Sequence, residues 1–359
     1  AKAYLDPTTY TLFSNTLLYT IGSTLFGLIV GTMLAWLVAR TNMPLKNIIF
    51  ASMPLNIAIP GILSCISWIF LLSPQIGFIN KLLVNLLNLG KAPFNIFSIG
   101  GMCYVQGLSF TATVFLMIAP AFSRLDPSLE EAASMSGASG ASTFPRITLK
   151  LMAPALLSAA IYVAITAVAM FEIPAMIGMP VRINVFSTKL YLATHGWGRD
   201  FALAGALSIV VLVIGFAGVY FYGRMTKVAE KFATVTGKAY RPRPIDLGRW
   251  KYAALTFSLT YFMLAIVLPL ATLVWVSLTP YVMPPSKQAF SLISFHSYQN
   301  VLRYGPLRRA IGNTIIMMLA TATITMFLSS IISWVVVRGR GRGRRFLDIL
   351  VFLPHGIPG

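Results

Sequence analysis

The sequence predicts an all-α polytopic membrane protein, a bundle of transmembrane helices built from two parallel repeats of which the second is truncated. Three observations support this fold class. Hydrophobic residues make up 57% of the 359 residues and charged residues only 10%, with a mean hydropathy of +0.78. Soluble domains carry about 25% charged residues. Apolar runs long enough to cross a bilayer recur along the chain, and one part of the sequence matches another without a gap.

Crossing the hydrocarbon core of a bilayer as a helix takes roughly 20 apolar residues. Seven runs reach that length, and they occupy positions 12–39, 48–72, 96–122, 151–177, 201–222, 252–278 and 310–337. An eighth run begins at position 346. The run 82–89 is apolar but too short to span, so we expect it to lie along the outer membrane surface.

The distribution of basic residues predicts the orientation of these spans. If the loop 123–150 is cytoplasmic, alternation places 40–47, 223–251 and 338–345 on the same side. Together these four segments hold 18 of the 28 Lys and Arg residues. Cytoplasmic loops are enriched in Lys and Arg, so the bias favours this orientation. The net charge of +19 comes from basic residues that flank the spans. Their position indicates orientation in a membrane rather than binding to nucleic acid.

An internal repeat appears when the sequence is shifted by 298 positions. The shift superposes Asn15-Thr16 on Asn313-Thr314, Trp36 on Trp334, Arg40 on Arg338, and the Ile-Pro-Gly of 59–61 on that of 357–359. The repeat predicts a first domain at 1–223 that lacks its first helix, a cytoplasmic linker at 224–251, and the start of a second domain at 252–359. We therefore expect the sequence to be a fragment of a longer, fused protein.

The loop 123–150 has the sequence features of a helix–glycine–helix elbow. Asp126 is a favourable N-cap, and Pro127 suits the first helical position, where its missing N–H has no partner in any case. Glu130 and Glu131 follow in the first turn, where the helix dipole favours negative charge. Gly137 is expected to end this helix, and a second short helix is expected to run from about residue 138 to 144.

This elbow resembles the EAA loop of binding-protein-dependent ABC importer permeases. The residues that carry the resemblance are Glu131, Ala132, Ala133, Gly137, Ile147, Leu149 and Pro154. The resemblance implies that the loop docks on a separate ATPase subunit, with Glu131 as the anionic contact and Gly137 as the turn. The alternative interpretation is a hairpin that only connects two spans.

The resemblance extends over nearly the whole chain and is strongest to fused two-half permeases of the ferric-iron importer type, which have the type I transmembrane fold. It rests on SPQIGFINKLL at 73–83, FEIPAMIGMPVRINVFSTKLYLA at 171–193 and the two repeated segments. It implies a multi-pass protein of the bacterial plasma membrane that works with a pair of identical ABC ATPase subunits and a substrate-binding protein. Ferric iron is the first expectation for the substrate. Polyamine, thiamine, phosphonate and sulfate permeases share the same plan.

The residues themselves give no sign of catalysis by this chain. A GxxxxGK[ST] phosphate-binding loop is absent from the sequence, so we expect a non-enzyme whose ATP hydrolysis is performed by a partner subunit. His195, His296 and His355 are far apart and lack metal-ligand spacing. Cys65 and Cys103 lie in apolar runs, as small buried hydrophobic residues do. The sequence therefore predicts no catalytic residues, no metal site and no cofactor.

Four residues are candidates for a cavity or gate: Glu172, Pro60, Gly61 and Pro358. A carboxylate within a span is costly unless it faces a cavity or a partner. Glu172 either lines a cavity that a cationic substrate passes, or closes an outer gate or caps a broken helix, and we favour the second interpretation. The prolines mark either a gate between the halves or packing kinks.

Two other classes of protein remain as alternatives. An ion-coupled secondary transporter also uses repeats, but it is expected to carry ionisable residues deep in several spans. A non-transport membrane scaffold has no use for the elbow. Replacing Glu131 or Gly137 should uncouple ATP hydrolysis from transport only in an ABC importer.

Overall fold

The computed structural model describes residues 7–125, 135–137, 144–195, 199–232 and 244–339, together with positions 343, 347, 350 and 351. Within these residues the chain is almost entirely helical, and the β-structure consists of one isolated parallel bridge between Thr41 and Ile245. Six of the described helices are long and apolar enough to cross a membrane. The chain is therefore an all-α, multi-pass membrane protein, as predicted.

Thirteen α-helices, numbered in chain order, make up the described part of the chain. They are α1 Pro7–Arg40, α2 Lys46–Ala58, α3 Gly61–Leu72, α4 Phe78–Leu87, α5 Ile99–Arg124, α6 Leu149–Ala169, α7 Phe186–His195, α8 Phe201–Phe232, α9 Trp250–Phe262, α10 Leu268–Leu278, α11 Lys287–Ser291, α12 His296–Arg303 and α13 Gly305–Arg338. A π-helical turn, Phe144–Thr148, leads into α6, and another, Met263–Val267, joins α9 to α10 as one long span.

The second predicted span is not straight, which corrects the expectation of one continuous helix over 48–72. It consists of α2 and α3, which meet at an angle of 97°. Pro60 explains the break, because it has no N–H to donate to the carbonyl of Asn56, and the residue before a proline favours an extended backbone. Ile59 has φ −77° and ψ 120° accordingly. Neither α2 nor α3 is long enough to cross a membrane alone.

The fourth predicted span is shorter than expected, because the α-helix ends at Ala169 instead of reaching Ile177. Met170 is extended, with ψ 132°, and Pro174 cannot donate to its carbonyl. That carbonyl instead accepts a hydrogen bond of 2.7 Å from Ser187 Oγ on α7. A π-helical turn, Pro174–Gly178, and a 3₁₀ turn, Met179–Val181, follow, so Glu172 lies after the end of α6 and just before these turns.

The core of the bundle forms where α1 packs along α5, with α6 against both helices. Gly27 and Gly31 of α1 allow the close approach. A β-carbon on Gly27 would lie 2.7 Å from Phe110 Cβ, and one on Gly31 would lie 2.8 Å from the Thr111 carbonyl oxygen. One buried hydrogen bond crosses this interface, from Tyr19 Oη to Gln106 Oε1 at 2.8 Å. The two helices therefore touch along their backbones.

The short apolar run predicted at the outer surface forms α4, a helix of 10 residues. Leu82, Leu86 and Leu87 are exposed on it, whereas Asn80 is buried. The Asn80 amide donates to the carbonyl oxygens of Leu72, Ser73 and Phe94 at 2.9–3.0 Å. A helix with one fixed polar residue and an exposed apolar side suits the interface between membrane and water.

The start of the second predicted half packs on the broken span of the first. Helix α10 contacts α3, and α9 contacts α2. Asn56 of α2 donates hydrogen bonds to the Leu108 carbonyl at 2.9 Å and to Tyr261 Oη of α9 at 2.8 Å. Tyr261 Oη also donates to the Leu108 carbonyl, at 3.1 Å. By contrast, the apolar stretch of α13 that would cross the membrane has no buried residue in the described structure.

Candidate functional site

Three of the four candidate gate residues meet where the broken span turns. Pro60 is the N-cap of α3, and Gly61 is its first residue. A β-carbon on Gly61 would overlap Oε2 of Glu172, so the carboxylate lies against the first turn of α3. Pro358, the fourth candidate, lies outside the described residues. The contact joins the break in the second span to the turn that follows the fourth.

The electrostatics of this contact follow from the geometry of a helix start. The first amide groups of a helix have no partner within the helix, and the helix dipole gives this end a partial positive charge. A carboxylate is stabilised there by roughly 0.3–1 kcal/mol at an exposed site. Glu172 is exposed in the structure, so its charge lies at an open edge of the bundle and not in the packed core.

The candidate coupling loop lies between the end of α5 and the turn before α6. Glu131, Ala132 and Ala133 lie outside the described residues. Gly137 is described, and its φ of +83° is in the left-handed region, where a side chain is strained. Ile147 belongs to the π-helical turn, Leu149 begins α6, and Pro154 lies inside α6.

Both ends of this loop are held by the end of α1, a feature that the motif did not predict. Arg40 is buried, and its guanidinium Nη1 donates to the carbonyl of Leu125, the residue that follows α5, at 3.3 Å. The indole ring of Trp36 lies 5.0 Å from the ring of Phe144, at the start of the π-helical turn. The signal that could have found these residues is the repeat, which also contains Trp334 and Arg338.

A cavity of about 310 Å³ lies near the start of α1, at the end of the bundle predicted to face outward. The side chains that line it include Asn15, Arg182, Asn184 and Lys189, and its described lining contains no acidic residue. Asn15 Nδ2 donates to the Asn184 carbonyl at 3.2 Å. The cavity is therefore electropositive and suits an anion better than a bare cation.

Within the described residues, no group of three or more His, Cys, Asp and Glu side chains is arranged to hold a metal ion. Cys65 is buried and unpaired with another cysteine, and the thiol of Cys103 lies 3.7 Å from the Leu18 and Tyr19 carbonyl oxygens of α1. Both cysteines thus serve helix packing.

Comparison with known proteins places these features in context. The chain is 24% identical over 287 residues to the putative ferric transport system permease protein FbpB 1 of Haemophilus influenzae, covering 79% of this chain and 44% of that protein. It is 24% identical over 267 residues to the ferric transport system permease protein FbpB of Actinobacillus pleuropneumoniae, covering 74% of this chain and 38% of that protein. The chain thus spans less than half the length of these two relatives. No family model matches it.

Among solved structures, a chain of a bacterial alginate ABC transporter, crystallised with an alginate pentasaccharide-bound periplasmic protein, matches with a TM-score of 0.51 and 19% identity. The match covers 64% of this chain and 82% of the other. It confirms the predicted transmembrane fold of an ABC transporter permease. The resemblance in sequence to permeases of the ferric type is confirmed by the two relatives.

Proposed function

We propose that this chain is the membrane-spanning permease of an ATP-driven ABC importer, and that it forms the pathway for a substrate delivered by an external binding protein. The observation that carries the proposal is the ABC permease fold together with the contacts of Leu125 and Phe144, the two residues that flank the loop 126–143. Arg40 and Trp36 fix both ends of this loop at the end of the bundle predicted to be cytoplasmic. A loop anchored in this way can pass a displacement to the spans on either side of it.

In this proposal the loop docks on one subunit of an ATPase pair, with Glu131 as the charged contact. ATP binding closes the two ATPase subunits, the loop moves with them, and the permease changes from inward-facing to outward-facing. Gly137, with its left-handed backbone, supplies the turn that the elbow needs. The permease itself performs no ATP chemistry.

The distribution of acidic residues argues against the ion-coupled alternative. None of the nine Asp and Glu residues of the sequence lies within the six candidate spans. Ion-coupled transporters place ionisable groups near the middle of the membrane, where they bind the driving ion. Glu172 follows the end of α6 and is exposed.

Ferric iron is the proposed substrate, on the basis of the names of the two relatives. The electropositive cavity with Arg182 and Lys189 favours a second candidate, an oxyanion such as sulfate or phosphonate. It also accommodates iron carried as an anionic chelate. Competition between radioactive ferric citrate and sulfate during uptake separates these substrates.

The experiment that tests the permease proposal is purification of the full-length protein from its native membrane, with mass spectrometry of the proteins that co-purify. We expect an ABC ATPase and an external solute-binding protein, and the class of the binding protein then identifies the substrate. An ATPase that is absent from a monodisperse, intact preparation overturns the ABC proposal, and ion-gradient-driven uptake becomes the next assay.

The gate contact gives a further prediction, which concerns Gly61. In the Gly61→Ala variant the added methyl group displaces the Glu172 carboxylate from the start of α3. We expect transport to fall up to about fivefold, which corresponds to the loss of ~1 kcal/mol of charge–dipole stabilisation. Uptake into cells or proteoliposomes measures the change.

The control for Gly61→Ala is the same substitution at Gly205 of α8, where a β-carbon meets no other atom within 4 Å. In a Glu172→Ala background the Gly61→Ala change should have no additional effect, because the clashing carboxylate is gone. An equal effect of Gly61→Ala with and without Glu172 contradicts the proposed contact.

A further inference from the structure

The segment that leads from the linker into α9 forms backbone hydrogen bonds with the chain at the end of α1. The backbone N–H of Ile245 donates to the Arg40 carbonyl at 2.8 Å, and the Asn42 N–H donates to the Ile245 carbonyl at 3.1 Å. These bonds form the parallel bridge between Thr41 and Ile245. The pairing joins positions that are about two hundred residues apart in sequence.

The side chain of Asn42 strengthens this pairing with one donated and one accepted hydrogen bond. Its Nδ2 donates to Asp246 Oδ1 at 2.6 Å, and its Oδ1 accepts from the Leu247 N–H at 3.1 Å. Asp246 Oδ1 also accepts from the Gly248 N–H at 2.9 Å. The hydrogen bonds from Gly248 and Asn42 lower the pKa of the Asp246 carboxyl, so the carboxylate is charged at neutral pH.

The same short turn reaches the candidate coupling loop on its other side. Arg40 donates to the Leu125 carbonyl, where the loop begins. Thr41 is fully buried; its hydroxyl donates to the Leu37 carbonyl and accepts from the Met43 N–H at 3.2 Å. Three consecutive residues, Arg40–Asn42, therefore contact the base of the loop, the end of α1 and the segment that enters the second predicted half.

We propose that Arg40–Asn42 and residues 245–247 form a clamp that fixes the start of the second half to the base of the coupling loop. This inference rests on the proposed function. Through the clamp, a displacement of the first loop by its ATPase subunit moves the cytoplasmic end of α9 as well. Asn42 and Asp246 are positioning residues, since they act by holding the two segments together and not by contact with substrate.

Two features support a positioning role over a passive covalent join. A linker that served only as a tether would need no backbone pairing and no side chain with matched donor and acceptor. In addition, the repeat places Arg340 at the position equivalent to Asn42, and arginine has no acceptor for such a pair. Arg40 is shared by both copies as Arg338, whereas the Asn42 side chain that pairs with Asp246 and Leu247 is specific to the first copy.

The test first breaks and then exchanges the donor and acceptor of the Asn42–Asp246 hydrogen bond. It uses the full-length protein, assembled with its ATPase in proteoliposomes. Asn42→Asp sets two carboxylates against each other, and we expect transport per ATP hydrolysed to fall about tenfold. The double variant Asn42→Asp with Asp246→Asn restores a donor–acceptor pair and should recover at least half of the wild-type ratio. Amide hydrogen exchange at residues 245–247 should rise in the single variant and return to normal in the double variant.

Tyr261→Phe is the matched control, because it weakens the contact between the halves inside the bundle without touching the clamp. It should lower the thermal midpoint and leave the ratio of transport to ATP hydrolysis unchanged.

If Asn42→Asp does not accumulate, Asp246→Ala tests the same pairing from an exposed position, and we expect the same fall in transport per ATP hydrolysed. An unchanged ratio in Asn42→Asp or Asp246→Ala, or a double variant that recovers nothing, overturns the clamp. A wild-type protein that binds no ATPase instead overturns the proposed function, and the exchange data then still decide whether the pairing exists.

Discussion

A leucine at position 31 is expected to abolish accumulation of the folded protein. The β-carbon alone would lie 2.8 Å from the Thr111 carbonyl oxygen and 2.8 Å from Val114 Cγ1, so α1 would have to move away from α5. Even modest overpacking of a rigid interior costs about 1–3 kcal/mol. Here the obstacle is backbone, which cannot rotate away as a side chain can. The expected cost of Gly31→Leu therefore lies at or above the upper end of that range.

Fluorescence-detected size-exclusion chromatography of the detergent-solubilised protein measures this effect, since it separates a monodisperse peak from aggregate. Gly205→Leu is the control, because that glycine of α8 is exposed and has open space around its missing side chain. We expect the control to behave as wild type. A monodisperse Gly31→Leu protein with an unchanged thermal midpoint would show that α1 and α5 are not packed as described.

Alanine at position 131 is expected to leave the protein folded and to abolish coupled transport. In the proposed function Glu131 is the charged contact with the ATPase, as the resemblance to the EAA loop implies. Loss of one partner of a buried charged contact costs about 2–5 kcal/mol, which predicts a fall in ATPase affinity of at least tenfold. Co-purification of the ATPase and substrate-stimulated ATP hydrolysis both measure it.

Glu130→Ala is the matched control for Glu131→Ala. On the helix that the sequence predicts here, neighbouring positions point in different directions, so a contact made by Glu131 is not expected to be shared by Glu130. We expect the Glu130 variant to retain most of its transport activity. Equal losses in both variants would indicate a general effect of negative charge on the loop, and wild-type coupling in Glu131→Ala would leave the loop a simple hairpin.

The long elements of the fold could be predicted from the sequence because their signal is local. A run of apolar residues is either long enough to span a membrane or too short. Six spans form at predicted runs, although the fourth ends early at Ala169, and the short run 82–89 overlaps helix α4. Pro60 and Gly61 predict an interruption of a span. The size of the bend was not predictable, because 97° depends on what α2 and α3 pack against.

The parts that could not be predicted depend on distant pairs of residues. The end of α6 at Ala169 depends on Ser187 of α7, whose hydroxyl donates a hydrogen bond to the Met170 carbonyl. The contact of Glu172 with Gly61 joins two breaks more than a hundred residues apart. The repeat singled out Trp36 and Arg40 but gave no role for them, because a repeat shows that a residue is shared and not what it touches.

The broken span has a consequence for the electric field across the bilayer. Helices α2 and α3, at 13 and 12 residues, are each about 20 Å long, whereas the hydrocarbon core is about 30 Å thick. The carbonyl of Asn56, to which Pro60 has no N–H to donate, cannot face lipid, so protein or water must solvate it. Where water reaches this break, the insulating layer is thinner than the surrounding membrane. The membrane potential then falls over a shorter distance at the break than in the lipid alongside, so the local electric field is steeper there.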